Sequence, residues 1–282
     1  MPQCLCQVVS RLNYVLDRLG LAKSPHIPLC IHRRRGTGLI KLYFWPTPNG
    51  YKISILLEEL GIPYEAQAVH IGKGEQFAED FLTINPNNKI PAIMDPEGPG
   101  GARYTLFESA AIMMYLAEKS GFRFMPGEMA ARYDVVQWLT FQAASMGPML
   151  GQAHHFREYA KEKLPYAIER FTSEAGRLYR VMEKRLSEME YLAGEYSIAD
   201  MAAYPWLRSH AFQGQKLEEY PSIQRWYSAV RSRPAVQRGL AVLKERFEKN
   251  KKPPTGKAWD NLFGNNQFAT TPVGASNDRV SK

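Results

Sequence analysis

The chain has 282 residues, 45% hydrophobic and 23% charged, with a formal net charge of +8; that size favours two domains over one, and the composition is that of an ordinary globular protein. The excess charge belongs to the ends, because residues 1–40 carry six Lys and Arg against one acid and residues 241–282 carry eight against four, leaving −1 for residues 41–240. Solvated ends are therefore preferred to a nucleic-acid face, since no aromatic–basic interleaving or zinc spacing accompanies the charge, and no apolar run approaches the ~18 residues of a membrane span.

All three cysteines, Cys4, Cys6 and Cys30, fall within residues 1–40. The body thus has neither a disulfide framework nor a cysteine metal cluster, and any thiol chemistry must use a thiol brought by the substrate. Residues 1–40 are read as an extension, either disordered or targeting. The expected location is cytoplasmic; the stretch is acid-poor and contains Arg33-Arg34-Arg35, a weak likeness to a mitochondrial presequence that makes a mitochondrial location the alternative.

Regular patterning starts at residues 41–45, an apolar and aromatic run of strand length. Thr47-Pro48-Asn49-Gly50 breaks it. Ile53, Leu56, Leu57 and Leu60 then recur at helical spacing until Gly61 and Pro63 end the helix. A second strand over 64–71 completes a strand–helix–strand unit, expected to be right-handed with parallel pairing. Pro91 sits at the mouth of the next apolar run, where a strand tolerates the missing donor. Residues 96–101 turn the chain into a strand at 104–107, and Glu108-Ser109 opens a helix carrying Ile112, Met113, Leu116 and Ala117 on one face. This unit spans residues 41–123.

From 128 to 250 the periods are helical, with candidate helices over 130–150, 165–190, 198–212, 221–232 and 235–248. Ser197 and Asp200 have capping-box spacing. Adjacent His154 and His155 would point to different sides of a helix, so packing is preferred to a metal site. Trp138, Phe141, Trp206 and Trp226 are read as core. Residues 253–282, rich in Gly, Asn, Thr and Ser, read as a tail draped over the surface through Trp259, Leu262 and Phe263.

Seven strings in order, 43–50 (YFWPTPNG), 72–77 (GKGEQF), 85–92 (NPNNKIPA), 107–109 (FES), 149–156 (MLGQAHHF), 165–170 (PYAIER) and 196–200 (YSIAD), resemble the nu-class glutathione transferases. That bacterial and fungal group is similar to disulfide-bond oxidoreductases and to the globular domain of the fungal nitrogen-regulatory prion protein. The resemblance implies a thioredoxin-like α/β N-terminal domain followed by an all-α C-terminal domain. It further implies glutathione as co-substrate, small disulfides or electrophiles as second substrate, and a homodimer.

What the resemblance implies residue by residue has a physical reason in each case. A cis peptide at Ile90-Pro91 lets Ile90 pair with the cysteinyl backbone of the ligand as an added strand would. Glu108 and Ser109 would take the γ-glutamyl ammonium and carboxylate; an ordinary N-cap is the competing reading of Ser109. Gln76 and Lys89 would reach the glycyl end, and each is otherwise a solvated loop residue. Arg170 would reach the site of a neighbouring subunit, and is otherwise a surface charge. Thr47 and Asn49 stand where better-known classes carry Tyr, Ser or Cys. They are the candidates to hold a thiolate, a role compatible with capping the first helix. Tyr43, inside the strand, is read as core. The leading function is glutathione-dependent disulfide reduction; conjugation of glutathione to hydrophobic electrophiles and a non-catalytic glutathione-binding regulator are the alternatives.

Overall fold

The computed structural model describes residues 38–248 and 254–268; the cysteines and the presequence-like stretch lie outside them. Strand β1 (Ile40–Phe44) alternates buried and half-buried residues and sits between two neighbours in a four-stranded sheet of order β2-β1-β3-β4. It pairs in parallel with β2 (Tyr64–Ala68), Ile40 opposite Tyr64, and antiparallel with β3 (Ala92–Asp95), Lys41 opposite Met94. Strand β4 (Tyr104–Phe107) closes the antiparallel edge with Ala92 opposite Phe107. The second strand stops at Ala68 rather than 71 because β1 ends at Phe44; the last rung is the Val69 N–H to the Phe44 carbonyl, 2.9 Å.

Helix α1 (Pro48–Leu60) starts where Thr47 accepts the Gly50 N–H on its side-chain oxygen and ends at Gly61, whose φ of 68° suits a residue without a Cβ. It is enclosed almost all round: Ile53, Ile55, Leu56 and Leu57 are fully buried, each contributing roughly 1.5–3 kcal/mol by leaving water. A short turn of helix, α2 (Glu79–Leu82), precedes β3, and α3 (Ser109–Lys119) follows β4.

The rest is helical: α4 (Met129–Phe141), α5 (Gly147–His154), α6 (Pro165–Glu188), α7 (Ile198–Leu207), α8 (Pro221–Ser232), α9 (Pro234–Ala241) and α10 (Lys244–Glu248). The helix expected over 130–150 instead runs on to Tyr159 with two π turns, Gln142–Met146 and His155–Tyr159. Their wider bonds are Gly147 N–H to Gln142 and Ala160 N–H to His155. The helix expected over 235–248 breaks at Val242-Leu243, where Leu243 takes φ 52°. The one expected over 198–212 ends at Leu207 and continues as a 3₁₀ turn.

The capping box forms as read. Asp200, fully buried, takes the N–H groups of Ser197 and Leu192 and the indole N–H of Trp226. Trp226 is core; Trp138 and Phe141 are half-buried and meet edge to face. Within the stretch read as a tail, residues 254–268 form helix α11 (Gly256–Phe263) and a 3₁₀ turn.

One hydrophobic cluster runs from the sheet through α1 into the helices, including Leu42, Leu57, Ile112, Leu139, Tyr179 and Trp226. A smaller one under the opposite sheet face holds Val69, Phe81, Ile84 and Ala92, with Tyr43 packed on it, its ring edge to face with Phe81. The two domains are joined at α1. Gly239 of α9 approaches so closely that an added Cβ would lie 2.7 Å from the Ile55 backbone, and Ser54 donates its hydroxyl proton to the Gly239 carbonyl at 2.8 Å. Glu59 receives Arg233 in two bonds, 2.6 and 3.0 Å, and the Tyr196 hydroxyl at 3.1 Å. Among the described residues no helix is long and apolar enough to cross a membrane.

Candidate functional site

The end of β1 and the start of α1 set out two side-chain donors. Thr47 accepts the Gly50 N–H at 3.2 Å, which occupies a lone pair and leaves its hydroxyl proton to donate elsewhere. Asn49 accepts the Trp206 indole N–H on Oδ1 at 3.1 Å. Since an indole N–H only donates, that bond fixes which end of the amide is oxygen and leaves the Asn49 NH₂ as a donor. Both residues are half-buried. Trp206, read as core, is half-buried and bridges the domains instead.

The Ile90–Pro91 peptide is cis. Pro91 is buried, and Ile90 stands just before β3, outside its ladder. At the next turn Glu108 takes φ 66° and ψ 113°. A non-glycine residue held there costs on the order of 1–2 kcal/mol, and such strain concentrates at ligand sites. Glu108 is exposed and gives α3 no side-chain cap, while Ser109, 8% exposed, begins the helix.

Lys52, which the sequence reading passed over, lies directly behind Ser109. It is 1% exposed, and its ammonium donates to the Ser109 hydroxyl oxygen at 3.1 Å. Burial lowers its pKa to about 7, with the nearby Glu108 carboxylate acting the other way. Because Asn49 and Lys52 are three residues apart on α1, they share a face; the first βα turn and the Glu108-Ser109 turn are thereby linked through one helix. In the sequence Lys52 is a lone lysine among the apolar residues of Tyr51-Lys52-Ile53-Ser54-Ile55.

Gln76 and Lys89 are both engaged by the C-terminal segment. Gln76, 5% exposed, donates its amide to the Asn261 carbonyl at 3.3 Å. Lys89, exposed, donates to Gln267 at 2.9 Å. Arg170 lies apart on α6, exposed, 3.7 Å from Glu174 in the same helix. The paired histidines diverge: His154 stacks between Tyr159 and Phe212, and His155 meets Phe156 and Phe263.

A mixed sheet with a cis-proline loop beside an open helix start, backed by a helical domain through α1, defines a two-domain class with a thioredoxin-like first domain. The comparisons carry this further. Residues 39–118 match the glutathione S-transferase N-terminal domain model and residues 148–234 the C-terminal one. The chain is 50% identical over 211 residues to the Escherichia coli (strain K12) disulfide-bond oxidoreductase YfcG, covering 74% of this chain and 97% of that protein. It is 43% identical over 218 residues to YghU, a disulfide-bond oxidoreductase of the same organism, covering 72% and 74%. A glutathione transferase family member from Pseudomonas fluorescens Pf-5, solved with two glutathione bound, superposes with TM-score 0.68 at 45% identity, covering 72% of this chain and 92% of that one. The chain belongs to the glutathione S-transferase family.

Proposed function

We propose that the protein is a glutathione-dependent disulfide oxidoreductase that uses the thiolate of bound glutathione as its nucleophile. The observation that carries this reading is the pair of donors, the Thr47 hydroxyl and the Asn49 amide, that have no acceptor among the described residues beside the α1 start, in a body that contains no cysteine. Two donors and a helix N-terminus favour the charged form of sulfur and lower its pKa. Glutathione is held along its length: its γ-glutamyl ammonium by Glu108, its carboxylate by Ser109 with Lys52 behind it, its cysteinyl backbone by Ile90 next to Pro91, and its glycyl end by Gln76 and Lys89.

In the first step the thiolate attacks one sulfur of a small disulfide; the S–S bond breaks, a glutathione mixed disulfide forms and one thiolate leaves, taking a proton from solvent. A second glutathione thiolate attacks the glutathionyl sulfur of the mixed disulfide, releasing the second thiol and leaving glutathione disulfide. Two glutathiones supply the two electrons, and the protein supplies orientation and thiolate stabilisation. The relatives named as disulfide-bond oxidoreductases and the related structure holding two glutathione support this reading. A homodimer, in which Arg170 serves the partner's site, and a glutathione-rich reducing compartment such as the cytoplasm complete it.

Parallel assays test it. Hydroxyethyl disulfide plus glutathione should be turned over well, chlorodinitrobenzene plus glutathione weakly, and replacing Cys4, Cys6 and Cys30 together should leave the first rate intact. Dominant conjugation, or loss of turnover in the folded cysteine-free variant, overturns the proposal.

A further inference from the structure

Helix α11 fills the place the preceding reading gives to the glycyl end of glutathione. The side chain of Asn261, 3% exposed, donates to the Gly72 carbonyl at 3.0 Å, and its main-chain carbonyl accepts the Gln76 amide. The other side-chain atom of Gln76, Oε1, is buried with no hydrogen-bond partner among the described residues. Gln267, one turn after the helix, accepts the Lys89 ammonium. On its other side α11 is fastened to the helical domain: Trp259 donates its indole N–H to the Tyr159 carbonyl at 2.9 Å, Lys161 lies 3.8 Å over the Trp259 ring, and Phe263 stacks on Tyr159.

These bonds are weaker in kind than those a ligand would make. Lys89 has no carboxylate within ion-pair distance among the described residues, and its acceptor is a neutral amide; a carboxylate would give it a charge-assisted bond. Gln76 is sealed at 5% exposure while Asn261 is docked. An eight-residue helix is unstable by itself in water, so α11 exists only while docked. Pro254 and the preceding Pro253 join it to the body.

Resting on the glutathione reading above, we propose that Asn261 and Gln267 are affinity determinants of the site: α11 competes with the glycyl end of glutathione for Gln76 and Lys89, and leaves the γ-glutamyl and cysteinyl contacts untouched. The free protein is then divided between a covered and an open state, and glutathione binds with an affinity reduced by the open fraction.

The competition is specific to glycine, which provides the test. Calorimetric titrations with glutathione and with γ-glutamylcysteine, which lacks the glycyl residue, are compared for the full chain, for a chain ending at Lys252, and for Gln267→Ala. Truncation should tighten glutathione binding about fivefold, the scale of one exposed charged contact. Gln267→Ala should act in the same direction by less, and γ-glutamylcysteine should bind all three alike. Unchanged or weakened glutathione binding in the folded truncation and in Gln267→Ala overturns the inference, as does an equal shift for both ligands. If neither ligand binds any of the three, the glutathione reading fails and takes this inference with it.

Discussion

Trp206 of the helical domain donates to Oδ1 of Asn49 at the start of α1, 3.1 Å away, so one domain decides which end of an amide the other presents. Trp206→Phe keeps an aromatic ring, though a smaller one, and removes that N–H, freeing the Asn49 amide to rotate. Disulfide reduction should fall roughly tenfold in kcat, the scale of one misplaced charge-stabilising donor, with little change in glutathione affinity. The thiolate absorbance of bound glutathione should titrate at higher pH. A variant with unaltered thiol titration would show that Trp206 only packs.

Lys52 predicts a pH dependence with a definite sign. Its folded pKa, about 7, lies below the ordinary 10.5. Above pH 7 the native ammonium loses its proton while the unfolded one keeps it, so unfolding takes up a proton and stability rises from pH 7 toward 10.5. Lys52→Met should flatten that rise and melt no lower than the parent at pH 7, while glutathione binding weakens about tenfold because Ser109 loses its cation. Glutathione's carboxylate should in turn raise the Lys52 pKa, so affinity in the parent declines above pH 7 and calorimetry in buffers of different ionisation heat should show proton uptake. A variant that keeps full affinity would leave Lys52 a structural residue alone.

At the domain junction, Gly239→Ala forces a Cβ to within 2.7 Å of the Ile55 backbone. Overpacking of this kind costs about 2 kcal/mol, a drop of roughly 4–8 °C in melting temperature. Thermal unfolding measured without ligand checks it. A shift under a degree would mean that α9 slides freely against α1.

Arg170 is exposed in one chain, and among the described residues its ion pair is with Glu174 of its own helix, so its proposed role depends on assembly. Arg170→Ala should remain folded and bind glutathione less tightly. Mixed with a Thr47→Ala/Asn49→Ala variant, it should form heterodimers in which one site carries both defects and the other neither, restoring about half of one dimer's sites. Monomeric elution, or no recovery despite proven subunit exchange, rejects the shared site.

Much of this was readable in the chain. The apolar and aromatic run at residues 41–45, the helical spacing of Ile53 to Leu60 and the Ser197-Asp200 box are local signals, and each set its element. What escaped depends on contacts far apart in sequence. Gln76 reads as a loop residue until Asn261, 185 positions on, closes over it. Lys52 reads as a solvated helix position until its side of α1 is buried. The π turns leave no trace in periodicity, since they shift the bonding register without changing which residue types are apolar.

The π turn at Gln142–Met146 makes that helix sensitive to length. A Cβ added to Gly147 or Gly151 would lie 3.6 or 3.5 Å from the Trp206 ring, so these two glycines form the floor on which that ring rests. Each residue turns a helix by about 100°. Deleting one residue within the turn would restore ordinary helical bonding and bring Pro148 and Gln152 to the places of the two glycines. The helix would gain in regularity while Trp206 lost its floor and Asn49 its orientation. Descendants of this chain are therefore freer to exchange side chains along residues 142–151 than to change their number.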